Sequence, residues 1–171
     1  GKQDTTIRDS DICWLNKKWL YNEVVPFIKI ANKKAGWNYH FDTYEEFQFT
    51  SYGPGKFYSW HMDTDTKPYP DGNLKGKMRK LSVTLSLSDG NDYEGGDFGF
   101  WGNKKKFKLK KGEALIFPAD FYWVHEVNKI EKGVRYSTNC FLQNYRGEYN
   151  EKYNYYGEIK NYENNSRRSD Y

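Results

Sequence analysis

From about residue 46 to residue 142 the apolar side chains recur with a period of two, and no helical stretch interrupts them. The clearest run is Leu81-Ser82-Val83-Thr84-Leu85-Ser86-Leu87-Ser88, which presents one apolar face and one hydroxyl face. Similar runs at 46–52, 57–63, 79–88, 96–101, 106–109, 113–117, 122–127 and 133–142 read as strands. Turn signals separate them: Gly53-Pro54-Gly55, Asp89-Gly90-Asn91, Gly95-Gly96, Gly102-Asn103, Lys111-Gly112 and Lys132-Gly133. About eight short strands with no helices between them imply a mainly β fold, an antiparallel sandwich or barrel such as a jelly roll.

Ahead of this region the period is different. Trp14, Leu15, Trp19, Leu20, Val24, Phe27, Ile28 and Ala31 recur at three- and four-residue steps, one face of an amphipathic helix over about 10–35. Ser10 and Asp11 read as its N-cap, and Pro26 as a break within it. The strands so rich in Tyr, Phe and Trp (aromatics are 19% of 171 residues) imply a core built from rings rather than from Leu and Ile. That length suits one domain, expected over 1–145, with 146–171 as a polar C-terminal extension lacking periodicity. The formal charge of +4 is spread among interleaved lysines and acids, so no nucleic-acid partner is expected. No apolar run approaches the length of a membrane span, and no apolar leader opens the chain. Cys13 and Cys140 read as reduced thiols, which suits a cytoplasmic location.

One connection is long. Residues 64–78 hold two prolines and two glycines and few apolar groups, and a loop of that length in a compact domain is functional or disordered. It directly follows the strand that carries Trp60-His61-Met62-Asp63. Residues two apart on a strand share a face, so His61 and Asp63 can present an imidazole and a carboxylate to one point. His125 lies in a second strand, within Trp123-Val124-His125-Glu126-Val127. Two histidines and one carboxylate suit iron(II), leaving three coordination positions open. Ten residues on, Arg135 falls in a strand with Ser137 on the same face. A buried guanidinium needs an anion, and its fork matches a carboxylate. Taken singly, each is as well read as a hydrogen-bonded strand histidine or a surface arginine paired with Glu126 or Glu131.

In order and spacing the set resembles the iron(II)- and 2-oxoglutarate-dependent dioxygenases, and within them the prolyl and lysyl hydroxylase-type branch. The resemblance is carried by 49–63, from Phe49-Thr50-Ser51-Tyr52-Gly53-Pro54-Gly55 to Trp60-His61-Met62-Asp63. It continues through Tyr93-Glu94-Gly95-Gly96-Asp97-Phe98-Gly99-Phe100 and Lys111-Gly112-Glu113-Ala114-Leu115-Ile116-Phe117-Pro118, then His125 and Gly133-Val134-Arg135-Tyr136. It implies a double-stranded β-helix with an N-terminal flanking helix, iron(II) on His61, Asp63 and His125 from the smaller sheet, and Arg135 on the facing sheet. Arg135 would hold the distal carboxylate of 2-oxoglutarate, helped by Ser137 and by Tyr52. The family's tyrosine on the strand after the long loop is replaced here by Leu85-Ser86-Leu87. The implied reaction consumes 2-oxoglutarate and dioxygen, with ascorbate as a reductant. It releases succinate and carbon dioxide and hydroxylates an unactivated C–H bond. No side chain beyond the metal ligands is required for the chemistry.

A peptide or protein substrate is expected, with peptidyl proline leading and a free amino acid or other small molecule as the alternative. The long loop is expected to close over it, with Tyr58, Trp60, Tyr69 and Trp101 as an aromatic wall. The nucleic-acid demethylase branch carries a second arginine six residues after the first, where this chain has Phe141. A non-catalytic jelly-roll binding or virion-surface module is the rival from another class. Asp65 is a competing ligand two residues past Asp63, and His40 is expected to stay apart from the metal.

Overall fold

The computed structural model describes residues 5–145; the expected extension over 146–171 lies outside them. In chain order the elements are β1 (Arg8–Asp9), β2 (Asp11–Leu15), α1 (Lys18–Lys34), β3 (Thr43–Tyr44), β4 (Phe47–Tyr52), β5 (Phe57–His61), β6 (Lys77–Ser86), β7 (Tyr93–Gly95), β8 (Phe98–Phe100), β9 (Lys106–Phe107), β10 (Ala114–Pro118), β11 (His125–Val127), β12 (Ile130–Gly133) and β13 (Arg135–Tyr145). They form two main sheets. A five-stranded minor sheet runs β1-β5-β11-β8-β9, and a six-stranded major sheet runs β10-β6-β13-β4-β2 with β3 beside β13. Strands β7 and β12 make a small third ladder. All pairings are antiparallel, and the fold is a double-stranded β-helix.

The alternation in β6 does what its chemistry requires. Leu81 and Val83 join Leu20 and Ile28 of α1, Phe47, Cys140 and Leu142 in a buried cluster, so the helix covers the outer face of the major sheet. Ser82, Thr84 and Ser86 point the other way, toward the minor sheet. There Phe98, Phe117 and Val127 pack with Phe100, Phe107, Leu115 and Trp123, an aromatic filling at one end of the space between the sheets.

The N-terminal expectation needs correction. Residues 11–15 are not helical: they form β2, which pairs with β4 from Asp11 opposite Ser51 to Leu15 opposite Phe47. Ser10 and Asp11 therefore cap nothing, and the helix starts at Lys18 behind Lys17, without a side-chain cap. The ladder with β4 satisfies more backbone groups than one further helical turn would, and the helical spacing of Trp14 and Leu15 was coincidental. Pro26 does not break α1. Of the expected apolar face, Leu20 and Ile28 are buried, whereas Trp19 and Phe27 are 63% and 68% exposed.

The long connection is partly ordered. Gly72–Leu74 form a single 3₁₀ turn. Tyr69 N–H donates to Lys77 O at 3.0 Å and Gly76 N–H to Tyr69 O at 2.9 Å, which ties the loop back on itself. At the other end of the site Gly133 has φ +73°, and a Cβ there would lie 2.2 Å from Asp92 O; only glycine permits this entry into β13.

Candidate active site

His61 and His125 are direct cross-strand partners in β5 and β11. Their register is not regular: Val127 opposes Tyr58, so two steps along β11 match three along β5. This bulge turns Tyr58 to the same face as His61, where strict alternation would group Tyr58 with Trp60. The Tyr58 and His61 rings then stack, with centroids 3.4 Å apart and planes 9° apart. His125 stacks on Phe98 with centroids 5.1 Å apart and meets the edge of Phe117. Both imidazoles are thus clamped by rings.

Hydrogen bonds fix which nitrogen of each ring is available. His61 Nδ1 lies 2.7 Å from Ser59 O and His125 Nδ1 lies 2.8 Å from Trp123 O. A carbonyl only accepts, so each Nδ1 carries the proton and each Nε2 keeps its lone pair. Those two Nε2 atoms face Asp63, at 3.6 Å from Oδ1 for His61 and 3.4 Å from Oδ2 for His125. One donor atom from each of the three residues falls within 4.8 Å of the others, and no other such group of three or more His, Cys, Asp or Glu occurs among the described residues. Three lone pairs converging without a donor repel one another unless a proton or a metal cation sits between them. Burial pushes the Asp63 carboxyl up, but a hydrogen bond from His61 and the charges of His125 and His61, which act once a ring is protonated at Nε2, outweigh it and bring it down to about 2. Burial pushes His125 down against the pull of Asp63. A carboxylate and two imidazole nitrogens converging on one point are the donor set a divalent transition metal takes.

Arg135 faces this triad from the major sheet. It is 3% exposed, donates from Nη1 to Ser137 Oγ at 3.0 Å, and lies opposite Tyr52 in the β13–β4 ladder. Its guanidinium carbon is 5.5 Å from the centre of the Tyr52 ring. No carboxylate of the described residues pairs with it. Burial pushes the neighbouring Tyr93 phenol up, against the Arg135 charge. A buried cation with hydroxyls around it and no acid is a seat for an anionic ligand. Tyr52, Tyr58, His61, Asp63, His125, Arg135 and Ser137 all line one cavity between the sheets.

The other expected site residues lie elsewhere. Trp60 and Trp101 meet edge-on, with centroids 5.2 Å apart. They are 37% and 67% exposed, on the outer side of the minor sheet, where Lys106 Nζ sits 4.9 Å above the Trp60 ring. Tyr69 lines a neighbouring hollow with Asp65, Lys67 and Met78, which shares Asp63 and Arg79 with the cavity. Tyr58, Trp60, Tyr69 and Trp101 therefore do not form one wall. Asp65 and His40 are exposed and stand outside the converging triad. Where the family tyrosine would be, Ser86 donates to Ser88 O at 2.8 Å, and it is Thr84 that reaches the cavity.

Two arginines of the cavity were not foreseen. Arg8 donates from Nε to Ser10 Oγ at 2.8 Å and from Nη2 to Gln48 Oε1 at 2.8 Å, and lies 4.6 Å over the Tyr58 ring. Arg79 makes a two-pronged pair with Glu45, at 2.6 and 2.7 Å. The register between β6 and β13 passes from Leu81–Leu142 to Arg79–Gln143, so a second bulge turns Arg79 inward. By parity alone it would share the outer face of Leu81, and no sequence signal marks the change.

Residues 47–143 match the family described as the 2OG-Fe(II) oxygenase superfamily. The chain belongs to that superfamily. A curated relative, a PKHD-type hydroxylase of Sphingopyxis alaskensis, is 36% identical over 96 residues, which is 55% of this chain and 42% of that protein. The chain thus spans less than half the length of this relative. Among solved structures, the viral collagen prolyl hydroxylase of Paramecium Bursaria Chlorella virus-1 in its 2OG complex superposes with a TM-score of 0.66 at 19% identity, covering 80% of this chain and 79% of that one. A prolyl hydroxylase from Trichoplax adhaerens, in complex with a hypoxia inducible factor oxygen degradation domain peptide fragment, gives 0.62 at 22% identity, with 82% and 65% covered. These two likenesses concern the fold. For a 2OG-Fe(II) oxygenase the expected ligands are iron(II), 2-oxoglutarate and dioxygen, and the triad and Arg135, which no carboxylate of the described residues pairs, fit the first two. Among the described residues no helix is long and apolar enough to cross a membrane.

Proposed function

We propose that this chain is an iron(II)- and 2-oxoglutarate-dependent dioxygenase that hydroxylates an unactivated C–H bond of a peptide or protein, with peptidyl proline as the leading substrate. The observation that carries it is the pairing of two unmet needs in one cavity: three converging lone-pair donors on the minor sheet and a buried guanidinium without an acid on the major sheet. A 2-oxo diacid answers both, since one end chelates a metal while the far carboxylate takes the arginine fork.

His61, Asp63 and His125 hold the iron through Nε2, carboxylate and Nε2. Arg135 takes the distal carboxylate, Ser137 orients the guanidinium, and Tyr52 closes the cavity beside it. When bound, iron with 2-oxoglutarate and dioxygen supplies the oxidising chemistry, with succinate and carbon dioxide as co-products. The chain's own contribution is placement and exclusion of water: Tyr58, Phe98 and Phe117 clamp the imidazoles in an apolar surround. The loop after Asp63, which carries Tyr69, borders the ligand carboxylate and is the segment placed to close over a bound peptide. The hydroxylase reading is supported by the superfamily and by the PKHD-type relatives, and the peptide reading by the peptide-bound prolyl hydroxylase whose fold this chain shares. Ascorbate serves as reductant for idle turnovers.

The test is succinate formation from 2-oxoglutarate with added iron(II), run with proline-containing peptides and with free amino acids. Mass spectrometry should find a product one oxygen atom heavier in the peptide arm. A hydroxylated free amino acid instead would move the substrate to the small-molecule class. No succinate in either arm would return the chain to a non-catalytic jelly-roll binding module.

A further inference from the structure

Strand β5 ends at His61, so Asp63 lies beyond the ladder that fixes the two imidazoles. Its main chain is held another way. The Asp63 carbonyl accepts a hydrogen bond from Arg79 Nη1 at 2.9 Å. The opposite edge of that guanidinium is taken by Glu45, Nε to Oε1 at 2.6 Å and Nη2 to Oε2 at 2.7 Å. The flat face lies 3.6 Å over the Phe141 ring. Glu45 is itself fixed: Gln143 donates to its carboxylate, its N–H donates to Phe141 O at 2.9 Å, and its carbonyl accepts from Tyr21 of α1 at 3.3 Å.

Each of the three guanidinium nitrogens of Arg79 therefore donates one hydrogen bond, and a planar fork held at all three has one orientation. A half-buried ion pair adds little net stability, because desolvation offsets attraction. What it does supply is geometry. Resting on the metal-site reading above, we propose that Arg79, oriented by Glu45, is a positioning residue for Asp63, and that it sets the carboxylate against the two imidazoles by holding the Asp63 carbonyl. The line from α1 through Glu45 and Arg79 to Asp63 makes the major sheet and its covering helix partners in a metal centre whose histidines belong to the minor sheet.

The experiment is a titration of the whole chain with manganese(II), followed by the electron paramagnetic resonance signal of the free ion, with circular dichroism to verify the fold. Arg79→Gln should weaken manganese binding about 10–100-fold, the usual consequence of losing an outer partner of a ligand. Glu45→Gln should shift it in the same direction by less, and Arg79→Lys should recover part. In an Asp63→Ala background Arg79→Gln should add nothing further. A folded Arg79→Gln chain with parent affinity, or one whose effect persists in full without the Asp63 carboxylate, overturns the proposal. Should Arg79→Gln fail to fold, Glu45→Gln decides, and parent affinity there overturns it equally. Parent affinity in Asp63→Ala itself would instead bring down the metal-site reading, and this proposal with it.

Discussion

Each imidazole in the cavity has one nitrogen already committed to a carbonyl two residues back, and this local bond decides which nitrogen is left for a metal. Arg135 is the reverse case, a side chain whose strongest possible partner is missing. Losing a charged, two-pronged partner in a buried site costs about 2–5 kcal/mol, roughly 30- to several-thousand-fold. Arg135→Ala should raise the 2-oxoglutarate requirement for succinate formation by that factor, and Arg135→Lys should recover only part, because a point charge replaces a fork. An unchanged co-substrate titration in Arg135→Ala would take the residue out of the site. His125 sets a pH dependence. Burial holds His125 below its ordinary value of 6.5. As pH falls through that value the unfolded chain takes up a proton that the folded site refuses, so stability drops from there down to the folded value. The urea midpoint of the metal-free chain should fall as the pH drops below 6.5, and His125→Gln should flatten that fall.

At the scale of elements, β7 and β12 to β13 show how a single backbone conformation governs the site. Gly133 admits the chain to β13 at φ +73°, against Asp92 and Tyr93, two residues ahead of Arg135. Gly133→Ala should cost on the order of 1–3 kcal/mol in urea unfolding and raise the 2-oxoglutarate requirement as well; an effect on neither would mean the turn can relax. The loop over 64–76 is a separate element. Replacing 66–75 with a Gly-Ser linker should leave uncoupled 2-oxoglutarate decarboxylation in place while substrate hydroxylation collapses, and hydroxylation at the parent rate would leave the loop without a part in recognition. The strands themselves were legible because a two-residue period survives in any half-buried sheet, and each of the eight expected runs overlaps one. What parity could not reveal were the bulges. One swings Tyr58 in beside His61, the other turns Arg79 toward Asp63, and neither leaves a mark in the hydrophobic pattern. The short strands β1, β2, β3, β7 and β12 were missed because their residues alternate too briefly to register, and β2 was masked by a helical spacing that continued into α1.

Over the whole molecule, the candidate site residues legible in the sequence were those whose order and spacing make a pattern, His61, Asp63, His125 and Arg135. Those that went unseen, Arg8, Glu45 and Arg79, are ordinary charges until the sheets close around them. Arg8 joins the layers: it stands in the minor sheet and donates to Gln48 and Thr50 of the major one. Arg8→Ala should destabilise the metal-free chain by about 1.5–3 kcal/mol, the range for hydrogen bonds to charged groups, and a urea midpoint equal to the parent's would show that water replaces it without loss. That bond bridges one side of the cavity, while the metal donors and Arg135 stand apart on opposite walls. On the proposed reading, a diacid spanning from metal to Arg135 would tie the two layers together across the cavity. The co-substrate would then be a structural member as much as a reactant. At a hundred times its dissociation constant it would add about 2.7 kcal/mol to the fold, and each turnover that shortens it to succinate would loosen the two walls and help the spent fragment leave.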